Sequence, residues 1–193
     1  VMILDNDFVA ATYPKRFYDF NGELLIENID LDWNWFIDLL DAYPKKYRKI
    51  HTHRLGWELR RLNEHIQLPK WAWQIEKDLH QIFPGKSVTL HSFGGLTDDS
   101  KSPFNIHKDG MDVFYVQVLG EIEWSIHTPK EGATETPSID GGAELKIGHT
   151  NTIYSDWFIP GRAIYIPAGT YHNVKPYSSR VGFSFGIENI EEE

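Results

Sequence analysis

The sequence predicts a mainly β protein with N-terminal helices. Apolar residues recur at helical spacing between residues 30 and 85, whereas after Gly85 the period falls to two and β-branched or aromatic residues dominate. Beyond Gly85, Gly or Pro separates short, closely spaced strand candidates, the pattern of a sandwich or barrel rather than of βαβ units. A length of 193 residues suits one domain, 1–193, in which a largely helical part (1–85) packs on a β core (86–190).

Residues 1–30 hold short apolar pieces, Val1–Leu4, Phe17–Phe20 and Glu23–Ile26, divided by turn-forming pairs, and read as a strand or two with turns. Phe36, Leu39, Leu40 and Tyr43 share one helical face, stopped by Pro44. Leu55, Leu59, Leu62 and Ile66 form a second helical stripe, and Ala72, Ile75, Leu79 and Ile82 a third, closed by Phe83-Pro84-Gly85. Strands are expected at Ser87–Phe93, Asn105–Leu119, Glu121–His127, Ala143–Ile147, Ile153–Phe158, Ala163–Ile166, Tyr171–Val174 and Arg180–Ile187. Residues 128–142 read as a long polar loop of the kind that serves as a lid or binding loop.

A net charge of −9 argues against general nucleic-acid binding. The absence of cysteine excludes disulfides, thiolate metal sites and thiol nucleophiles. No apolar run approaches the roughly 20 residues that span a bilayer, and the first residues lack the basic and apolar regions of a signal peptide. The expected setting is the cytoplasm, without a membrane partner; oligomeric state is open. The aromatic share of 14% is high enough both to pack a core and to line a pocket with rings.

The chemistry concentrates at 104–124. His107 and Asp109 are two residues apart, so in an extended strand their side chains leave the same face. That is two thirds of a 2-His-1-carboxylate metal site. Downstream, a Pro167-Ala168-Gly169 turn leads to His172 at the start of another strand, where an imidazole can return toward the pair. Tyr115 and Gln117 share the parity of His107 and Asp109. His51-x-His53 also has ligand spacing, but it lies in a basic segment leading into the second helical stripe and reads as solvated surface. Trp33, Trp35, Trp71 and Trp73 read as packing between helix and sheet.

These segments resemble the Jumonji-type, cupin-like oxygenases that depend on Fe(II) and 2-oxoglutarate, and in particular the ribosomal oxygenases and asparaginyl hydroxylases. The resemblance rests on His107-Lys108-Asp109, Asp112-Val113-Phe114, Gln117, Gly120 and Trp124, followed by Pro167-Ala168-Gly169-Thr170-Tyr171-His172. It covers about 100 residues, Thr89 to Ile187. It implies a double-stranded β-helix (cupin or jelly-roll) and a metal triad of His107, Asp109 and His172. It further implies dioxygen as oxidant and hydroxylation of a C–H bond, favouring a protein or peptide side chain, with release of succinate and CO2. Such proteins often place a polar residue near the cosubstrate on the strand before the triad, which here points to Ser92 or His91.

One position departs from the pattern. Two residues after the glycine, the family carries a Lys or Arg that pairs with the distal carboxylate of 2-oxoglutarate, whereas this chain has Ile122. An apolar side chain cannot hold a carboxylate. Arg180 and Ser184, on one face of the last strand, are the substitutes, since a guanidinium suits a bidentate carboxylate contact. Ile122 also leaves open a metal-dependent cupin without 2-oxoglutarate, an isomerase or dioxygenase. A non-catalytic cupin binding module is a further alternative, which the intact triad opposes. A small-molecule substrate is the alternative to a peptide.

Overall fold

The computed structural model describes residues 2–13, 15–51, 55–96, 105–137, 142–145 and 148–190. In chain order its elements are α1 (Asn6–Thr12), α2 (Trp33–Ala42), β1 (Arg48–His51), β2 (Gly56–Leu59), α3 (Leu62–His65), α4 (Lys70–Ile82), β3 (Lys86–Gly95), β4 (Ile106–Lys108), β5 (Asp112–Leu119), β6 (Ile122–Pro129), β7 (Thr136–Pro137), β8 (Ala143–Leu145), β9 (Thr150–Phe158), β10 (Ala163–Ile166), β11 (Tyr171–Pro176) and β12 (Arg180–Asn189). The strands form two sheets with the orders β1-β2-β3-β12-β5-β10 and β7-β8-β4-β11-β6-β9. Every named strand pairing is antiparallel.

The sheets lie face to face as a double-stranded β-helix. Tyr115 of β5 meets Trp124 of β6 with ring centroids 5.0 Å apart. Val113, Ile122, Ile126, Phe158, Ile164 and Ile166 complete this interior cluster. The two strand orders therefore run in parallel, with β5 over β6, β12 over β11 and β3 over β4. Alternation along β12 sorts its side chains. Val181, Phe183, Phe185 and Ile187 belong to the larger core under the helices, so Arg180, Gly182 and Ser184 turn to the interior between the sheets.

The larger core joins the outer face of the first sheet to the N-terminal helices. Asp5 caps α1 by accepting from the Phe8 amide at 2.7 Å. Phe8 then sits against Phe20, Phe114 and Tyr165 at centroid distances of 5.7, 5.5 and 5.4 Å. Full burial of such a ring contributes about 1.5–3 kcal/mol. Trp71 of α4 packs on Phe183 at 5.5 Å, while Trp73 on the opposite helix face is half exposed, so helix-to-sheet packing does not extend to Trp73.

The N-terminal part departs from its sequence pattern in two places. Residues 1–30 contain the capped helix α1, and their only strand-like pairings among the described residues are the isolated bridges Tyr18 to Tyr165 and Leu24 to Arg162. The stripe from Leu55 to Ile66 is not one helix. Gly56–Leu59 is strand β2, whose Trp57 and Leu59 alternate into the core, and Arg61 in the left-handed region (φ 58°) separates it from the short α3. Leu55 itself is exposed. Strands β1 and β2 thereby extend the first sheet beyond β3. Three further boundaries differ: Asn105–Leu119 is broken at 109–111, the 128–142 segment contains the end of β6 and β7, and residues 146–147 lie outside the described residues.

Gly182 shows how tightly the interior is filled. A Cβ added there would lie 1.9 Å from the Tyr115 hydroxyl oxygen. The variant Gly182→Ala should be destabilised by about 1–3 kcal/mol, the usual cost of overpacking. Pairing it with Tyr115→Ala should give a less than additive loss in denaturant titrations.

Candidate metal centre

β11 lies between β4 and β6, and its register places His172 directly opposite His107. Their imidazole centroids are 4.3 Å apart. Asp109 follows β4 immediately, where the chain turns out of one sheet toward the other. Its Oδ2 lies 3.5 Å from His172 Nε2 and its Oδ1 3.9 Å from His107 Nε2. One ligand atom from each of the three residues falls within 4.8 Å of the others.

The backbone fixes which ring nitrogens face inward. His107 Nδ1 is 3.0 Å from the Asn105 carbonyl, and His172 Nδ1 is 2.9 Å from the Thr170 carbonyl. A carbonyl only accepts, so both Nδ1 atoms carry the proton and both Nε2 lone pairs point at Asp109. Two imidazole nitrogens and a carboxylate on one side of an enclosed space are a donor set that fits a divalent metal such as Fe(II), with further positions left for ligands. Burial holds His172 neutral, with its pKa pushed down to about 3; His107 and His127 push the same way, and the Thr170 carbonyl partly opposes them.

Asp112 braces this arrangement. It is buried, and it accepts from the Ala168 amide at 2.8 Å and the Tyr165 hydroxyl at 3.1 Å, while Lys15 approaches to 3.6 Å. The Gly169 amide donates to the Asp109 carbonyl at 2.9 Å. The turn that delivers His172 is thus tied to the Asp112 side chain and to the backbone of a ligand. Sequence reasoning placed Asp112 in a motif without a role.

The remaining candidates divide by face. Arg180, Ser184, Tyr115 and Gln117 all turn inward. Tyr115 donates to Gln117 Oε1 at 2.6 Å, and the Gln117 amide donates to the Leu119 and Gly120 carbonyls. Burial raises the Tyr115 pKa, with Arg180 opposing weakly. The parity link from His107 to Tyr115 does not survive the break at 109–111, because the two residues belong to different sheets; both face the interior all the same. Ile122 is fully buried in the interior cluster.

Ser92 does not join them. It pairs with Phe183, faces the helical core with Val88 and Leu90, and is fully buried. Parity alone could not say which of two buried faces it took. Its neighbour His91 pairs with Ser184 on the interior face, and burial lowers its pKa. His51 is half-buried at the end of β1, and His53 lies outside the described residues; among the described residues the metal-ligand grouping is the triad alone. Two surface depressions of about 370 and 280 Å³, sharing Gln67 and Leu68, lie among the N-terminal helices and do not touch the triad.

Comparison with known proteins places this architecture. The family model described as the JmjC domain matches residues 61–192, more than half of the chain. The chain belongs to the JmjC domain family. The chain is 32% identical over 82 residues to the bifunctional lysine-specific demethylase and histidyl-hydroxylase NO66 of Caenorhabditis elegans, covering 42% of this chain and 11% of that protein. The NO66 protein of Caenorhabditis briggsae is 29% identical over 105 residues, covering 53% and 13%. The JmjC fold is also that of the ribosomal oxygenase YcfD from Escherichia coli, with a TM-score of 0.65 at 14% identity over 98% of this chain and 52% of that one. The YcfD complex with cobalt and 2-oxoglutarate gives 0.64 at 16% identity, over 98% and 53%. The chain therefore spans about half of the YcfD chain and roughly a tenth of the NO66 proteins. No helix among the described residues is long and apolar enough to cross a membrane.

Two outcomes follow for the metal-free protein and the metal site. Folded His172 resists protonation until about pH 3, whereas an unfolded histidine takes a proton near 6.5. Between those values the unfolded state binds more protons, so stability should fall as pH drops through this window. Chemical denaturation across it should show the slope, and His172→Gln should flatten it. Asp112→Ala should weaken Mn(II) or Co(II) binding about 10–100-fold, the usual cost of losing a partner that orients a ligand, as read by metal titration.

Proposed function

We propose that the chain is an oxygenase dependent on Fe(II) and 2-oxoglutarate that hydroxylates a C–H bond of a protein or peptide side chain. The carrying observation is the triad itself, with both Nε2 atoms and the Asp109 carboxylate converging on one point. Membership of the JmjC family supports the same reading. His107, Asp109 and His172 would hold the metal. Held there, Fe(II) with 2-oxoglutarate and dioxygen supplies the oxidising chemistry, and the 2-oxo acid leaves as succinate and CO2.

The protein's own contribution is binding, orientation and exclusion of water. The Asn105 and Thr170 carbonyls hold a proton on each Nδ1 and so orient both rings with Nε2 toward the metal-binding group. Trp124, whose ring lies 5.5 Å from that of His172, and Tyr115 wall the apolar side. Trp124 Nε1 is buried without a hydrogen-bond partner among the described residues. A buried donor left in this state suits a ligand rich in acceptor oxygens. For the distal carboxylate of 2-oxoglutarate we assign Arg180, with Ser184, Tyr115 and Gln117 alongside. Arg180 shares the interior face with them and lies across its strand partner Gly95, whose added Cβ would be 3.2 Å from an Arg180 guanidinium nitrogen. Ile122, buried where a cation would otherwise stand, is what favours the second reading, a metal-dependent cupin that does not use 2-oxoglutarate.

Succinate formation with Fe(II), 2-oxoglutarate and ascorbate, with and without candidate peptides, tests the proposal. Absence of turnover together with absence of 2-oxoglutarate binding would overturn it and leave the second reading. Arg180→Ala should raise the 2-oxoglutarate concentration needed for half-maximal turnover by about tenfold or more, the scale of a lost charge-assisted pair. Its metal titration should match that of the unaltered protein.

A further inference from the structure

Beyond the triad, both sheets are prolonged on the same side. β2 and β1 continue the first sheet past β3, and β8 and β7 continue the second past β4. Because β3 lies over β4, these additions lie beside His107, and their interior-facing residues border the triad on that side.

On the second sheet that residue is Glu144. β8 pairs with β4 so that Glu144 stands opposite His107. Leu145 pairs with Ile106 and joins Tyr171 in a cluster on the outer face, which leaves Glu144 on the interior face with the ligand. Adjacent strands are about 4.8 Å apart, so the carboxylate lies one strand outward from the metal-binding group without belonging to it. Asn105 links the two. Its carbonyl receives His107 Nδ1, and its amide donates to Glu144 Oε2 at 2.9 Å. Among the described residues no basic side chain is paired with Glu144.

The facing wall is different in kind. Glu58 of β2 is neutralised by Arg60 at 2.7 Å. On β3, His91 and Phe93 turn inward opposite Ser184 and Gly182, their rings nearly parallel (21°) with centroids 6.3 Å apart. Burial favours the neutral form of His91. Among the described residues, one wall thus offers flat, uncharged rings and the other the Glu144 carboxylate held in place beside the metal site.

We propose that Glu144 is a specificity-determining residue that receives a cationic group of the substrate, a guanidinium or ammonium, while the His91 and Phe93 rings border its apolar stem. This rests on the oxygenase reading above and narrows its substrate class. A carboxylate pre-oriented by Asn105 binds a cation without first losing its own rotamer freedom. Asn105 ties that contact to the orientation of His107, so that occupancy of Glu144 and the geometry of the site are set by the same residue.

The test compares matched peptides that differ in one charge, arginine against citrulline and lysine against N-acetyl-lysine. Their binding to the Mn(II)-loaded full chain is followed by intrinsic tryptophan fluorescence, and succinate release is measured separately with Fe(II). The unaltered protein should bind the cationic member of at least one pair about tenfold or more tightly, with the preference shrinking as salt is raised. Glu144→Gln keeps an oxygen for Asn105 and should erase the preference, whereas Glu144→Asp should retain part of it. Equal binding of both members by the unaltered protein, or a preference that survives in Glu144→Gln, overturns the proposal. A charge preference in binding without any succinate release would instead overturn the oxygenase reading and leave Glu144 as a cation-binding residue.

Discussion

A single register pair, His107 opposite His172, joins β4 to β11, and the metal-binding group exists only while that pairing holds. β4 has three residues and little to secure it by itself. It is held on one flank by β8 and on the other by β11, and β11 is in turn fixed by six paired residues of β6. The turn before His172 is clamped by Asp112 and by the Asp109 backbone. A short strand that would be marginal alone is thereby set to within hydrogen-bond tolerance by neighbours that are not.

The interior divides across the strand order. Val113, Tyr115, Ile122, Trp124, Ile126, Phe158, Ile164 and Ile166, on β5, β6, β9 and β10, make one side dry and well packed. The triad, on and beside β4 and β11, with Ser184 and Arg180 on β12, makes the other polar. Placing a cation on β12 instead of β6 preserves this division. A charge at position 122 would sit among buried aliphatic groups, whereas Arg180 is only half-buried at a strand end, where ordering a guanidinium costs less solvation.

Much of this was legible in the sequence. The period of 3.6 located α2 and α4, the period of two located most of the β-helix, and His107, Asp109 and His172 stood out by spacing and by resemblance. What failed did so for local reasons. Leu55, Leu59, Leu62 and Ile66 satisfy a helical template, yet Gly56 and the left-handed Arg61 divide them between a strand and a short helix. Ser92 has strand parity, but parity cannot tell the interior of a β-helix from a second core beneath helices. Glu144 left only the alternation of Ala143-Glu144-Leu145 as a signal. Its neighbour His107 lies 37 residues earlier (144 − 107), and register across such a gap is set by the assembled sheet rather than by either segment.

The distance along the chain between the ligands has a consequence for the protein's abundance. Asp109 and His172 are separated by 63 positions (172 − 109) and meet only in the finished β-helix. A divalent ion bound by the triad therefore favours the folded state over every partly opened one, by about 2.7 kcal/mol when its free concentration is a hundred times its dissociation constant. The fraction of chains open to proteases falls by the corresponding factor. A cell short of that ion would hold fewer copies of the protein, quite apart from the activity of those that remain.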